Sequence, residues 1–580
     1  MARRRREALS SVDTAWLRME DRDNLMMITG VMMFDQPLDY GRVRAMLEQR
    51  LLRWDRFRSK IVEPKFGVGT LYWEVDPHFN IDDHLHRFKL PPPGDKEMLE
   101  RLVSHLMSTP LDFSRSPWEY HLVEGYGQGS ALIGRLHHSM ADGIALIGVL
   151  LGMTDSEPDA PWVDDRPERR HRRPSNPLAS LIRPVTDLVD GTRKVTGSIV
   201  HEGVELISHP DHALKAAELG INSAVTLGRL LALPPDPATC LKGPLGPVKH
   251  AAWSDPIPLE DVKTIGRAMG GTVNDVLLTA VAGALRRYLL SQGQDIEGKS
   301  IRAVVPVNLR PPDAPLTLGN RFGLVFLDLP IGTDKPLERL YRLKARMDEI
   351  KSSPEAVVVF GVLNVVGMAT QEIENMALDL FGTKGTGVMT NVPGPRQTIY
   401  MAGRPVRNIM FWVPQSGRLG LGVSILSYAG DVVVGVATDA GLVPHPEAIV
   451  ADFQTELRFL LDMASQFSVR AAQVQRPSAP PQEAHPTEIS DAEAEHPSGT
   501  PHPAPRRRTR KPAKTTPPES ETAGQVTARA AAHSYPHEAF GGSQPSNGST
   551  AHCRAVTKSG APCRNKPLPG STYCRIHQPD

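Results

Sequence analysis

Two adjacent histidines, His137 and His138, are followed after three residues by Asp142 and Gly143. These are the residues of the chain whose types and spacing best suit chemistry. Imidazole titrates near neutrality, so a histidine in a cavity can take the proton of a hydroxyl at physiological pH. The pair ends an alternating segment, Ser130 to Leu136, which predicts a half-buried β-strand. Successive side chains leave a strand on opposite faces, so only one imidazole can point into a given cavity. Beyond Gly143, Ile144, Ile147 and Leu151 recur at helical spacing. Asp142 therefore stands where strand gives way to helix, a natural N-cap position, and Gly143 relaxes the backbone there. Taken alone, the two histidines also fit a plainer description, a pair satisfied inside a core.

The His-His-x-x-x-Asp-Gly signature resembles that of the CoA-dependent acyltransferase superfamily, which includes chloramphenicol acetyltransferase, carnitine acyltransferases and the condensation domains of peptide synthetases. Further motifs narrow the resemblance. Phe79–Leu85, Pro91–Gly94, Pro110–Asp112, Pro117–Glu119, Leu122–Gly125, Val273–Val276 and Asn391–Pro395 follow, in order, the bacterial wax ester synthase/diacylglycerol acyltransferase family. The match spans roughly residues 8 to 466, and the ordered set is far more specific than any one motif.

The resemblance implies an α/β fold: two chloramphenicol-acetyltransferase-like domains, each a mixed sheet with helices, and an active site in a channel between them. It implies direct attack of an alcohol on the thioester of acyl-CoA, with no nucleophilic Ser or Cys and no cofactor for catalysis. By likeness to the family, His138 is the base, His137 shapes the site, and Asp142 holds the loop through an arginine, for which Arg310 is the candidate. Asn274 would donate to the thioester oxygen as charge develops. Its neighbour Asp275 would face the site, although an acid in the first turn of a helix is favoured by the dipole in any case. Pro110, Trp118, Asn391, Pro393 and Gly394 would line the substrate channel. Diacylglycerol as acceptor gives triacylglycerol, and a long-chain alcohol gives a wax ester. Two other functions are compatible: a condensation or transesterification enzyme loaded from a carrier protein, and a non-catalytic protein that binds a lipid surface or nucleic acid.

Composition bounds these readings. The chain has 580 residues, is 40% hydrophobic and carries a net charge of +1, which argues against nucleic acid as a partner of the enzyme body. Basic clusters occur locally, at Arg3–Arg6, Arg169–Arg173 and Arg506–Lys511. Ala8 to Asp13 offers no apolar core for a secretory signal. The apolar run Ala356 to Met368 is interrupted by Asn364 and falls short of the about 20 residues a membrane span takes. A cytoplasmic enzyme that meets its lipid at a membrane or lipid-body surface is the expectation.

Patterning divides the chain into an N-terminal acyltransferase domain over 1–165, a helical connector over 166–245 and a C-terminal acyltransferase domain over 246–467. Met26–Phe34, Leu71–Val75, Ile301–Arg310 and Leu324–Leu329 read as strands, and Arg42–Leu52, Lys96–Ser108, Glu260–Met269, Val273–Leu290 and Pro336–Ile350 as helices. Residues 468–550 are rich in Ala, Pro, Ser, Thr and His, and hold too little apolar surface to fold. In 551–580, Cys553, Cys563, Cys574 and His577 supply three thiolates and an imidazole, a closed tetrahedral set for a structural zinc ion. So short a segment would take its folding free energy from the metal.

Overall fold

A computed structural model of the chain describes residues 6–64, 69–158, 160, 225–311, 315–369, 371–415 and 419–474, with side chains to 467. Only 225–245 of the expected connector falls within these residues, and 225–232 of it is helical. The linker beyond 474 and the expected zinc module over 551–580 lie outside them.

The strands in chain order are β1 (Arg6–Ala8), β2 (Met27–Phe34), β3 (Ser59–Val62), β4 (Tyr72–Val75), β5 (Leu85–Lys89), β6 (Trp118–Tyr126), β7 (Gly129–His137), β8 (Lys249–Trp253) and β9 (Ile257–Pro258). They continue as β10 (Ile301–Asn308), β11 (Phe322–Leu329), β12 (Gly387–Pro393), β13 (Tyr400–Met401), β14 (Arg404–Pro405), β15 (Asn408–Trp412), β16 (Leu421–Tyr428) and β17 (Asp431–Asp439). The main helices are α1 (Ser11–Arg18), α2 (Tyr40–Met46), α3 (Lys96–Met107), α4 (Gly143–Met153), α5 (Leu259–Met269), α6 (Val273–Ser291), α7 (Pro336–Lys351), α8 (Glu355–Val366), α9 (Gln371–Gly382) and α10 (Pro446–Val474).

Two mixed sheets carry the site. The first has the order β15-β2-β7-β6-β5; its pairs are antiparallel except β5 with β6. The second has the order β11-β10-β12-β16-β17-β8, with β9 also on β17. In it β12 runs parallel to both β10 and β16. One face of the second sheet is covered by α5, α6, α7 and α10, whose Val262, Leu285, Leu340 and Phe453 meet sheet residues Ala303, Leu327, Ile425 and Val434 in the largest core.

Local chemistry sets the helix starts. Ser10, Asp95 and Asp142 each accept a first-turn N–H of α1, α3 and α4. Thr272 and Asp275 form a reciprocal capping box on α6. A hairpin joins β16 and β17 and turns through Ala429 and Gly430, with φ of 49° and 97°. Positive φ at both central residues matches the twist of the strands it joins.

Two expectations from the sequence need correction. The strand ending at the histidines is not half-buried: β7 is central in its sheet, and every residue but Leu136 is buried. Leu132 enters the core beneath α2 and α4, while Ala131 and Ile133 enter another that includes Ala251, Trp253, Val433 and Ala437 of the C-terminal half. A strand covered on both faces is buried throughout, whatever alternation its sequence shows. The boundary drawn between the two domains is also crossed. Asn408–Trp412, within the segment assigned to the second domain, pairs with β2 from Asn408 opposite Met33 to Trp412 opposite Thr29. Met410 and Trp412 are wholly buried in the core shared by the two sheets, which holds the strand there.

Among the described residues no single helix is long and apolar enough to cross a membrane. The helices α5 and α6 pass on length only together, meet at 95°, and bury their apolar residues in the core.

On α9, Glu374 is fully buried and its carboxylate oxygens have no hydrogen-bond partner, so burial pushes its pKa from 4.5 to about 7 despite the pull of Arg18. An acid raised in the fold costs stability progressively as pH climbs from its unfolded value through its folded one. Glu374→Gln should therefore melt close to the parent at pH 4.5 and increasingly above it towards pH 7, with a constant gap beyond. Thermal unfolding across that range checks this.

Candidate functional site

The site is built on the turn that leaves β7. His137, the last strand residue, donates its N–H to Pro117 O at 2.9 Å, and His138 donates to Met26 O at 2.7 Å. The His137 ring is fully enclosed. Its Nδ1 lies 2.7 Å from Ser139 Oγ and accepts the Ser139 N–H at 3.2 Å. The proton then sits on Nε2, which is 3.0 Å from Glu20 Oε2 though off the N–H axis. Phe113 meets this ring edge-on at 5.2 Å.

His138 has different surroundings. Its ring stacks on Trp16 at 4.3 Å and 18°, with Phe322 at 5.7 Å. Its Nδ1 is enclosed and has no hydrogen-bond partner. Burial favours the uncharged imidazole and lowers its pKa from 6.5 to about 4, against the smaller opposing pull of Asp142. This histidine is therefore neutral throughout the physiological range.

Asp142 ties the turn to both halves of the chain. Oδ1 accepts the Ala145 N–H at 3.0 Å, capping α4. Oδ2 accepts the Arg321 N–H at 2.9 Å and pairs with the Arg310 guanidinium, which also donates to Gly319 O at 2.7 Å. Both side chains of this pair are buried, at 5% and 8% exposure. Gly319 itself donates to Met140 O at 3.1 Å from a backbone with φ of +103°, where a side chain would be strained. At Gly148 of α4 a Cβ would lie 2.4 Å from the end of the Leu316 side chain, which packs directly on this glycine.

The neighbouring Asn320 completes the brace. Its amide donates to His138 O and to Asp13 Oδ1, each at 2.8 Å, and its N–H reaches the same Asp13 oxygen at 3.0 Å. Arg56 stands 3.7 Å from the other Asp13 oxygen and donates to Met140 O at 2.9 Å. Burial raises the Asp13 carboxyl above its ordinary range, and Arg56 opposes that shift.

Of the residues singled out in the sequence, His138, Asp142 and Arg310 meet at this turn, with His137 behind it. Asn274 and Asn391 meet each other: Asn391 Nδ2 donates to Asn274 Oδ1 at 2.9 Å, linking the start of α6 to β12. Pro393 and Gly394 follow at the end of β12, half-buried, and Gly394 donates to Ser427 O at 2.8 Å. Pro110 is exposed beyond α3.

Three roles are altered. Asp275, expected to face the site, is 2% exposed, and its carboxylate accepts the Thr272 N–H in the capping box. Trp118, expected in the channel wall, is 1% exposed, donates to Phe57 O at 2.8 Å and stacks on His84 at 4.5 Å, as a core residue. Gly143 does not have positive φ, and a Cβ there would meet open space, so neither backbone freedom nor crowding requires glycine at this position. Trp16, Glu20, Phe322 and Asn320 went unrecognised. They lie far from the histidines in sequence, and only the Asn320 position, between Gly319 and Arg321 beside a strand start, hinted at a structured loop. Among the described residues no group of three or more His, Cys, Asp or Glu is placed to hold a metal ion.

The histidine turn, braced from both halves of the chain, lies in a two-sheet mixed α/β fold of the kind found in condensation-domain-like enzymes. Residues 9–277 match the wax ester synthase/diacylglycerol acyltransferase catalytic domain, and 318–460 match the C-terminal domain of the same enzymes. The chain belongs to the wax ester synthase/diacylglycerol acyltransferase family. It is 28% identical over 443 residues to the probable diacylglycerol O-acyltransferase tgs1 of Mycobacterium tuberculosis, covering 75% of this chain and 91% of that one. With tgs2 of the same species it shares 29% over 480 residues, covering 77% and 97%. In fold it is similar to a wax ester synthase/diacylglycerol acyltransferase from Marinobacter aquaeolei VT8, with a TM-score of 0.56 at 22% identity over 79% of this chain and 99% of that one.

The Asp142–Arg310 pair generates a stability prediction. Breaking a buried ion pair from one side costs about 3–5 kcal/mol, because the other charge is left without compensation. Asp142→Ala and Arg310→Ala should each lose about that much in urea unfolding, and the double variant should lose less than the sum, by about 0.5–3 kcal/mol. Asp142→Asn, which keeps the cap, should lose less than Asp142→Ala.

Proposed function

We propose that this enzyme moves a long-chain fatty acyl group from acyl-CoA to diacylglycerol, to a long-chain alcohol, or to both, with His138 as general base. The observation that carries the assignment is the uncharged His138 imidazole, stacked on Trp16 at 4.3 Å on a turn fixed by Asp142 and Asn320. The enclosed nitrogen is Nδ1. Proton removal therefore falls to Nε2. The acceptor hydroxyl attacks the thioester carbonyl as its proton passes to Nε2. The carbon–sulfur bond then breaks, and the proton leaves with the CoA thiol. Asn274 uses its carbonyl oxygen on Asn391, which leaves its amide as the donor for the thioester oxygen as charge builds there. His137 acts through the turn, held by Ser139 and Glu20, and not on the substrate.

The names of the mycobacterial relatives support diacylglycerol as an acceptor, and that of the Marinobacter enzyme supports both acceptors. The acceptors are lipids, so we place the enzyme in the cytoplasm, attached peripherally to a membrane or lipid body. A carrier-protein-dependent enzyme would instead work poorly with free acyl-CoA. We further infer that Cys553, Cys563, Cys574 and His577 hold a structural zinc ion apart from the chemistry. Metal analysis of the full chain should give one zinc, and a chain ending at Phe467 should keep its activity on dispersed substrate.

His138→Ala should lower the rate by about 10²- to 10⁴-fold while the protein still folds, measured with labelled palmitoyl-CoA and a panel of diacylglycerol and hexadecanol. Activity like that of the parent would end this assignment.

The pH profile follows from the lowered pKa. The base is active when unprotonated, so kcat/KM should rise through pH about 4 and be level from there to neutrality. Trp16→Ala admits water to the imidazole and should move that acid limb towards 6.5. An acid limb already near 6.5 in the parent would show that the working base is another group.

A further inference from the structure

The helices α8 and α9 form a hairpin with two unlike faces. Its inner face is anchored. Phe360 and Leu363 of α8 and Leu378 of α9 pack on the cluster of Val12, Ala15, Trp16, Met26 and Phe322. Gly367, after α8, is so close to α1 that a Cβ would lie 1.9 Å from Ser11 O. Arg18 of α1 donates to Ala369 O at 2.9 Å, and Gln371 donates to Arg18 O at 3.1 Å. The hairpin thus rests on the helix that carries Trp16, the ring stacked on His138.

The outer face is apolar and open. Val365, Met368, Ile373, Met376 and Leu380 are 63%, 70%, 54%, 72% and 40% exposed. Single exposed apolar residues are ordinary, but five large ones within sixteen consecutive residues, from Val365 to Leu380, are the kind of concentration that marks an interaction site. Ile373, Met376 and Leu380 recur at helical spacing along α9, the pattern of a helix lying in an interface. In α8 only Glu355 and Asn364 are polar, and an all-apolar helix at a surface is unusual.

Charge selects the occupant. The segment from 355 to 382 contains no Lys or Arg, while Glu372 and Asp379 are exposed on it. Anionic bilayers recruit helices through basic residues, at about 1 kcal/mol each, and this face has none to offer. It suits a surface whose headgroups carry no net charge.

We propose that the outer face of the α8–α9 hairpin seats the enzyme on a zwitterionic or uncharged lipid surface, next to the wall of the His138 site. This rests on the acyl-transfer reading only for the reason a lipid surface is needed. The acceptor is then drawn from the surface on which the enzyme already sits, a short path from the Trp16 wall.

Flotation of the full chain with phosphatidylcholine vesicles, with and without diacylglycerol, against phosphatidylglycerol vesicles tests the proposal. The parent should float with the phosphatidylcholine vesicles, and the Met368→Gln, Ile373→Gln, Met376→Gln triple variant should lose about tenfold or more of that binding. The triple variant should keep its turnover of acyl-CoA with a short, water-soluble alcohol, since the inner face is untouched. Met376→Trp, made separately, should show blue-shifted emission on adding phosphatidylcholine vesicles. Unchanged flotation of the triple variant, binding restricted to phosphatidylglycerol, or conversion of a dimer to a monomer by the same substitutions would overturn the proposal. The two readings fail separately: a parent inactive on the soluble alcohol would refute acyl transfer, whereas flotation reports docking whatever the activity.

Discussion

One carboxylate holds the histidine turn to the rest of the molecule. Asp142 caps its own helix with one oxygen and, with the other, takes the Arg310 guanidinium and the Arg321 N–H from the C-terminal half. A buried charge must be compensated or it destabilises the fold, so the two halves cannot drift apart here without leaving a charge on each unpaired. Asn320, next in line, carries this fixed position to the backbone carbonyl of His138. The position of His138 is thus set from both sides, by Met26 and Trp16 of the first half and by a segment nearly two hundred residues downstream.

The electrostatics of the site follow from the same enclosure. Stacking on Trp16 and contact with Phe322 remove water from His138 and keep the ring uncharged. An uncharged imidazole is ready to accept a proton at any pH where the cell works. It also avoids a third buried cation at a turn that already holds Arg310 and Arg56, both 8% exposed or less. His137, one residue away, is held by Glu20 and Ser139 in a separate enclosure.

Much of this was legible in the sequence, and the omissions have physical causes. The histidine turn, the capping role of Asp142 and its pairing with Arg310 followed from residue type and from likeness to known enzymes. So did nearly every strand and helix tested, because periodicity is a local signal. What escaped was non-local. Trp16 lies more than a hundred residues before the ring it covers, and no pattern joins Asp13 to Asn320. The burial of β7 on both faces was hidden because its second cover, Trp253 and Val433 among others, comes from the other half. Asp275 illustrates the reverse error: a motif residue read as facing the site spends its charge on the first turn of its own helix.

The crossover of β15 bears on how the protein is made. The first sheet takes its outer strand from Asn408–Trp412, far down the chain. During synthesis β2 must therefore wait with one edge unpaired until more than two-thirds of the polypeptide has left the ribosome. A bare edge bearing Met27, Ile28, Val31 and Met32 is a template for pairing with any other extended chain. Contacts of such large sequence separation also close slowly. The nascent first half therefore carries that open edge until the chain has been made past Trp412. Once β15 docks, the late-arriving strand locks an edge that would otherwise invite aggregation.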